Sequence, residues 1–406
     1  MDNLTHALVG AALAHVALPA GAPAPRRRLF MAAGVLAANL PDVDLLYVGI
    51  TPPPLGYLLH HRGHTHTLVG LLGQGVLMAA LGGLVPPLRR QLALAGARFW
   101  GLMAVALASH LALDAGNSYG VHPFHPFDSR WYYGDAVFIL EPWLWVLVGV
   151  PLAWNAGGRV AGAALATLLT LLPVAMAVVG IVLPGALAAL ALAAAVLARW
   201  TRRLSAPAGA ATALGLGTAF FAILFALSAV ARAETRTLLE PTARGEIVDV
   251  VLNPNPADPL CWMAIAVEKD EAGGRYVLHR GTLSLVPAWR PPTSCASHRL
   301  GRGFSAAGAA PPAWDVPVAE ALERLRSLGE RDCRARAWLR FGRAPALGDG
   351  LIRDLRFDNG RGGNFTAMRL DPDHRDAPCP ANVPSWAMPR ADLLSRDPIP
   401  RSPARE

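Results

Sequence analysis

Apolar runs dominate the first 232 residues and then stop. Eight can be drawn, at about 4–20, 29–50, 67–86, 97–115, 136–153, 160–179, 182–199 and 211–231. Several reach the roughly 20 residues that an α-helix needs to cross the hydrocarbon core of a bilayer. The first is short, has no basic region before it and carries His6 and His15, so it reads as a spanning or half-spanning helix and not as a leader peptide. Beyond residue 233 the pattern changes. Alternation at 246–252, 262–269 and 275–286 predicts strands, 316–328 predicts an amphipathic helix, and 335–341 and 351–357 predict further strands. Gly-Arg-Gly-Gly at 360–363 reads as a turn. The expected fold is a mainly α, polytopic membrane bundle of about eight segments (1–232) followed by a small α+β domain (233–371). Residues 372–406, rich in Pro, Arg and Asp, are expected to form a loosely ordered C-terminal tail.

Composition sharpens this division. The chain is 53% hydrophobic and 16% charged, off the balance of an ordinary soluble protein. Of its 29 carboxylates only seven precede residue 233: Asp2, Asp42, Asp44, Asp114, Asp128, Asp135 and Glu141. A net charge of +8 could suggest nucleic acid, but here the arginines sit in short loops between apolar runs. Arg26, Arg27, Arg28, Arg89, Arg90, Arg98, Arg159, Arg199, Arg202 and Arg203 fall in alternate loops, which the positive-inside rule makes cytoplasmic. With eight crossings, the tail domain then lies in the periplasm of an inner-membrane protein. All four cysteines (Cys261, Cys295, Cys333 and Cys379) lie in that domain, which fits two disulfides in an exported region, with three pairings open. Loss of a bridge is expected to weaken the tail and spare metal content.

The polar residues of the membrane half gather at one side of this topology. His6 opens segment one, Asp42 and Asp44 end segment two, and His60, His61, Arg62, His64 and His66 precede segment three. His110 and Asp114 stand four apart near the end of segment four, on one helical face. His122, His125, Asp128 and Asp135 fill the next loop, and Glu141 enters segment five. Ionisable groups in membrane segments are costly and mark functional interiors. Imidazole with carboxylate suits zinc first, then manganese or iron. The candidate ligands are His6, Asp42, Asp44, His61, His66, His110 and Asp114, enough for one to three divalent ions. Further candidates are His60, His64, His122, Asp135 and Glu141, although His60 and His64 could be neighbours of the true ligands. Asp135 could equally turn the loop, and Glu141 with Pro142 could start a helix. Two catalytic assignments follow: Arg62 as a bidentate partner for a substrate phosphate oxygen, and Asp44 as a residue that bridges ions or orients the attacking water.

At these residues the chain resembles the YdjM-like family of membrane-bound metal-dependent hydrolases. The likeness rests on Asn-Leu-Thr-His ending at His6, Leu-Pro-Asp-Val-Asp at 40–44, His-Arg-Gly-His-Thr-His at 61–66 and Ser-His-Leu-Ala-Leu-Asp at 109–114. In the third motif His61, Arg62, Thr65 and His66 carry it. The order of His and Asp is also distantly similar to that of zinc-dependent phospholipase C enzymes. The resemblance implies a hydrolase and names no substrate; the ligand chemistry adds the expectation that metal-activated water hydrolyses an ester or phosphoester of a lipid or envelope precursor. The partners expected are membrane lipids and a small or lipid-like anionic substrate, and no nucleic acid. A divalent-metal transporter or sensor is the alternative. It would need ionisable groups along a whole path through the membrane, and none follow Glu141 in segments five to eight apart from loop arginines.

Overall fold

In the computed structural model, residues 1–93, 96–154, 158–295, 313–314, 317–358, 364–370 and 378–396 are described. Ten helices form the membrane half: α1 (Asn3–Ala17), α2 (Ala24–Asn39), α3 (Leu55–His60), α4 (Leu68–Leu84), α5 (Pro86–Ala93), α6 (Gly96–Ala115), α7 (Pro142–Ala153), α8 (Arg159–Val178), α9 (Pro184–Thr201) and α10 (Ala206–Leu239). Local chemistry sets their starts. Asp2 caps α1 by accepting from the Thr5 amide (2.9 Å), and Thr67 caps α4 by accepting from Gly70 (2.8 Å). Pro142 and Pro184 occupy the first positions of α7 and α9, where no amide is needed. Pro41 ends α2 as a regular helix, and the chain continues in tighter 3-10 turns (Leu40–Leu46 and Val48–Ile50).

All eight expected apolar segments contain a helix, but fewer are long enough to cross a bilayer. Five qualify among the described residues: Ala24–Ile50, α6, α8, α9 and α10. The pair Leu55–His66 and α4, bent by 70°, is either a broken sixth span or a re-entrant loop. Helices α1 (15 residues) and α7 (12 residues) span about 22 and 18 Å, short of the roughly 30 Å hydrocarbon thickness. Helix α10 runs 34 residues, past the compositional change at 232, and delivers the chain directly to the sheet.

Helices α1 and α2 meet backbone to backbone: a Cβ on Gly10 would stand 2.3 Å from the Gly34 carbonyl oxygen. Helix α6 lies along α2, with Phe99 against Phe30 at one end and His110 bonded to the Ala38 carbonyl at the other. Helices α7 to α10 pack beside them around Trp145, Val148, Leu169 and Leu190.

The C-terminal region is α+β. Strands β1 (Glu246–Asn255), β2 (Asp258–Asp270) and β3 (Arg275–Ser284) form an antiparallel meander, and β3 also pairs with β4 (Ala313–Trp314) and β5 (Val318–Ala321). Helices α11 (Leu322–Arg331) and α12 (Cys333–Trp338) follow. A second sheet then joins β6 (Pro345–Gly348), β7 (Leu351–Asp354) and β8 (Met368–Arg369), before the short α13 (Ala391–Leu394).

Three expectations change here. The helix expected over 316–328 begins as β5, because 318–321 pair with the edge of β3, and turns helical only at Leu322. The strand expected at 335–341 is mostly α12: the Asp332 side chain accepts from the Arg334 and Ala335 amides and starts a helix. Residues 378–396, expected as part of a loose end, are packed, with Trp386 and Leu393 fully buried. The turn expected at 360–363 lies outside the described residues. The cysteines pair as Cys261–Cys295 and Cys333–Cys379. One apolar core joins the two regions: Leu55, Leu58, Leu59, Tyr119 and Trp131 pack with Trp338, Phe341 and Trp386.

Candidate metal centre

Four elements bring the seven candidate ligands together: the start of α1 (His6), the 3-10 turn after α2 (Asp42, Asp44), the turn after α3 (His61, His66) and the last turn of α6 (His110, Asp114). All are buried except Asp42, whose side chain is 12% exposed.

Proton placement shows what the cluster can hold. The Nδ1 of His110 donates to the Ala38 carbonyl at 2.6 Å. The Nδ1 of His66 faces Asp44 Oδ2 at 3.2 Å, an oxygen that also accepts from Thr65 Oγ1 at 2.9 Å. In neutral rings both Nε2 atoms are therefore left as lone pairs, and they face each other at 3.0 Å. Around them stand Asp42 Oδ1, 3.6 Å from each, and Asp114 Oδ2, 3.3 Å from His66 and 3.7 Å from His110. Four ligands about 2.1 Å from one tetrahedral ion stand roughly 3.4 Å apart, so the spacing suits a single zinc-type site. Hydrogen bonds from the opposite ring nitrogen are how metal-binding histidines are usually oriented.

A second group of possible ligands, Asp42, Asp44 and His61, adjoins the first. The Nδ1 of His61 lies 3.1 Å from Asp44 Oδ1. Asp42, and not Asp44, is common to both groups. His6 stands against them, its ring stacked on His110 at 3.8 Å and its Nε2 3.2 Å from Asp114 Oδ1. Both His6 nitrogens are buried without a hydrogen-bond partner, Nε2 having only the Asp114 carboxylate beside it. Buried polar atoms of this kind are seldom left unmatched, and a cation would satisfy them. The donor set therefore fits a metal. The Met1 amino group also contacts Asp114.

Arg62 is placed differently from expectation. Its Nε pairs with Asp114 Oδ2 at 2.9 Å, and its Nη1 donates to the Asp114 carbonyl (3.2 Å) and to Asn117 Oδ1 (2.7 Å). The guanidinium lies 5.0 Å over the Tyr119 ring and is 1% exposed. It is committed to holding Asp114, not free for a substrate oxygen.

The five further candidates stand outside both groups. His60 Nε2 is engaged by Thr51 (2.8 Å). His64 lies against Trp386 and His125. His122 is sandwiched by Trp131 and Trp386, and burial holds its imidazole down, at about 3. Asp135 is taken by Arg343 (2.8 Å) and Arg232 (2.8 Å), and Glu141 caps α7 by accepting from Trp143 (3.1 Å). Sequence reasoning gave no role to Asn3, which donates to Asp42 Oδ2 at 2.8 Å, or to Asn117 and Gln74. A neutral amide near apolar segments was their only signal.

Residues 1–184 match the YdjM inner membrane protein family. The YdjM match covers all seven candidate ligands and Arg62, and stops at the start of α9. The chain is also similar to the uncharacterized protein YfhP of Bacillus subtilis (strain 168), 28% identical over 162 residues. That alignment covers 39% of this chain and 47% of YfhP, so the chain spans about half the length of this relative. No solved structure matches the chain. The chain thus combines five helices long and apolar enough to cross a membrane with an N-terminal half that matches an inner-membrane family and carries a possible metal-binding group.

Proposed function

We propose that the chain is a membrane-bound, metal-dependent hydrolase of an ester or phosphoester, with zinc the metal its donor set favours. The observation that carries this reading is the pair of ligand groups sharing Asp42, the arrangement of a two-ion site. Bound ions would supply an activated water and stabilise the charge that develops on the attacked and leaving oxygens. The chain's own residues do the rest. Ala38 and Asp44 fix the two facing imidazoles, and Arg62 with Asn117 holds Asp114 in place. Thr65 anchors Asp44, which is set to orient a ligand as well as to be one.

Access supports a lipid-like substrate. Asp42 is the most open of the seven side chains, and the same 3-10 turn exposes Val43 (38%), Leu45 (44%) and Leu46 (85%) beside it. A substrate whose polar group reaches Asp42 could rest its apolar part on this lip. The transporter or sensor reading is weaker, because residues 142–233 contain no Asp, Glu or His that would continue a cation path.

The site and the tail domain are proposed to face the periplasm, on the arginine asymmetry and the two cysteine pairs. A phosphatase-type reporter fused after residue 240 should be active, and an active cytoplasmic reporter there would reverse the topology. For the activity, elemental analysis of the purified protein should find zinc, and a phosphoester and ester screen should find turnover that a chelator abolishes. Bound metal with no hydrolysis of any substrate would favour the binding or transport reading.

A further inference from the structure

Residues 379–390 lie as a strap across the turn that carries His61 and His66. The Cys333–Cys379 disulfide fixes one end, and Arg390 pairs with Asp249 (3.2 Å) at the other. Between them, Thr51 Oγ1 donates to the Ala381 carbonyl (3.1 Å) and Asn382 Nδ2 to the Ile50 carbonyl (3.2 Å). The Ala387 amide donates to Ser129 (2.9 Å), and Arg340 donates to the Trp386 carbonyl (2.7 Å). At the centre is Trp386, fully buried. Its indole donates to the Leu59 carbonyl at 2.8 Å, in the last turn of α3, where the helix supplies no partner. Its ring stacks on His122 at 4.0 Å and packs against His125 (4.7 Å) and His64 (4.9 Å).

The turn beneath needs such support. Arg62 is held at φ 58°, a left-handed conformation that a non-glycine residue adopts only under constraint. A Cβ on Gly63 would meet the His60 carbonyl oxygen at 2.9 Å and the Trp386 ring at 3.3 Å, so the indole is fitted to a backbone that only glycine allows. The same turn presents His61 and His66, and its Arg62 amide donates to Asp44 at 2.8 Å.

We propose that Trp386 is a positioning residue of the metal centre: from the C-terminal region, it holds the 61–66 turn in the conformation that aims His61 and His66 at the aspartates. The assignment rests on reading the cluster as a metal site. It also changes the expectation that the disulfides and the ligands are independent, since Cys379 anchors the strap.

The test compares full-length wild type, Trp386→Ala, Trp386→Phe and the control Trp289→Ala, whose ring is 90% exposed in the same region. Zinc affinity is read by competition with a chromophoric chelator, and hydrogen exchange over 60–67 is read in the metal-free proteins. Loss of a residue that orients ligands weakens metal binding about 10–100-fold, which is expected for Trp386→Ala together with faster exchange at 60–67. Trp386→Phe keeps a ring and loses the indole donor, so it should fall between. If the alanine variant fails to fold, the phenylalanine variant decides. Wild-type affinity and exchange in a folded Trp386 variant would overturn the assignment and leave the metal reading standing. A wild-type protein that takes up no zinc would overturn the metal reading, and this assignment with it.

Discussion

Helices α6 and α8 are both 20 residues long and apolar enough to span, yet they end in different surroundings. Helix α6 buries eight residues, among them His110 and Asp114, and lies against α1 and α2. Helix α8 buries three, Leu169, Pro173 and Met176, and presents Leu168, Leu171 and Val178 outward. An ionisable group in a membrane segment is tolerable only where it finds partners, so two polar residues suffice to draw α6 inside. Irregular backbone follows the same rule. The Leu40–Leu46 3-10 turn and the left-handed Arg62 occur where the chain lines the polar cluster. Apolarity makes both helices candidate spans, and the few exceptions to it decide which one builds a site.

The comparison can be broken most severely within α6. His110→Ala should lower zinc affinity by more than about 100-fold, as elemental analysis would show. Asp114→Ala should do the same and also strand Arg62 as a buried unpaired charge, costing about 3–5 kcal/mol in denaturation experiments. A protein that kept its metal in both variants would make the cluster purely structural.

Stoichiometry separates the two aspartates of the 3-10 turn. Asp42→Asn should empty both ligand groups, whereas Asp44→Asn should lower the metal count by one, since the other group keeps four donors. Equal losses would remove the special place of Asp42.

Smaller effects are expected from the tail. Cys379→Ser should cost the C-terminal region about 2–5 kcal/mol, and zinc affinity should fall a few-fold as the strap loosens. Acid should act on the same region through Asp249. Burial alone would raise its carboxyl, but Arg343 and Arg390 hold it well below the usual carboxylate range. A depressed carboxylate stabilises the fold above its unfolded value and loses that contribution as it protonates, so tail stability should decline as pH falls below about 4. The smallest effect belongs to α8: Leu171→Ala, on a 60% exposed side chain, should leave metal content unchanged.

The ligands were legible because each is an expensive residue in a cheap setting: His6, Asp42, His110 and their companions interrupt apolar runs. Residues of the same types in the polar loop carried no such contrast. Asp135 and Glu141 have the right chemistry and spend it on Arg343 and on the α7 cap. Strands β1 to β3 were legible from alternation, whereas α12 was not, because one capping aspartate outweighed a short strand-like pattern. The sharing of Asp42 and the commitment of Arg62 to Asp114 depend on contacts between distant segments, for which a linear pattern has no sign.

The bond from Trp386 to Leu59 joins residues 327 apart. A ribosome adding about 5–20 residues per second needs roughly 15 seconds to a minute to cover that distance. For most of this interval every candidate ligand has been made and the strap has not. The newborn site is therefore uncovered, and metal has its easiest entry before the chain is finished. A nascent chain halted before Cys379 would carry a complete set of ligands under an open roof, and should exchange its metal faster than the mature protein.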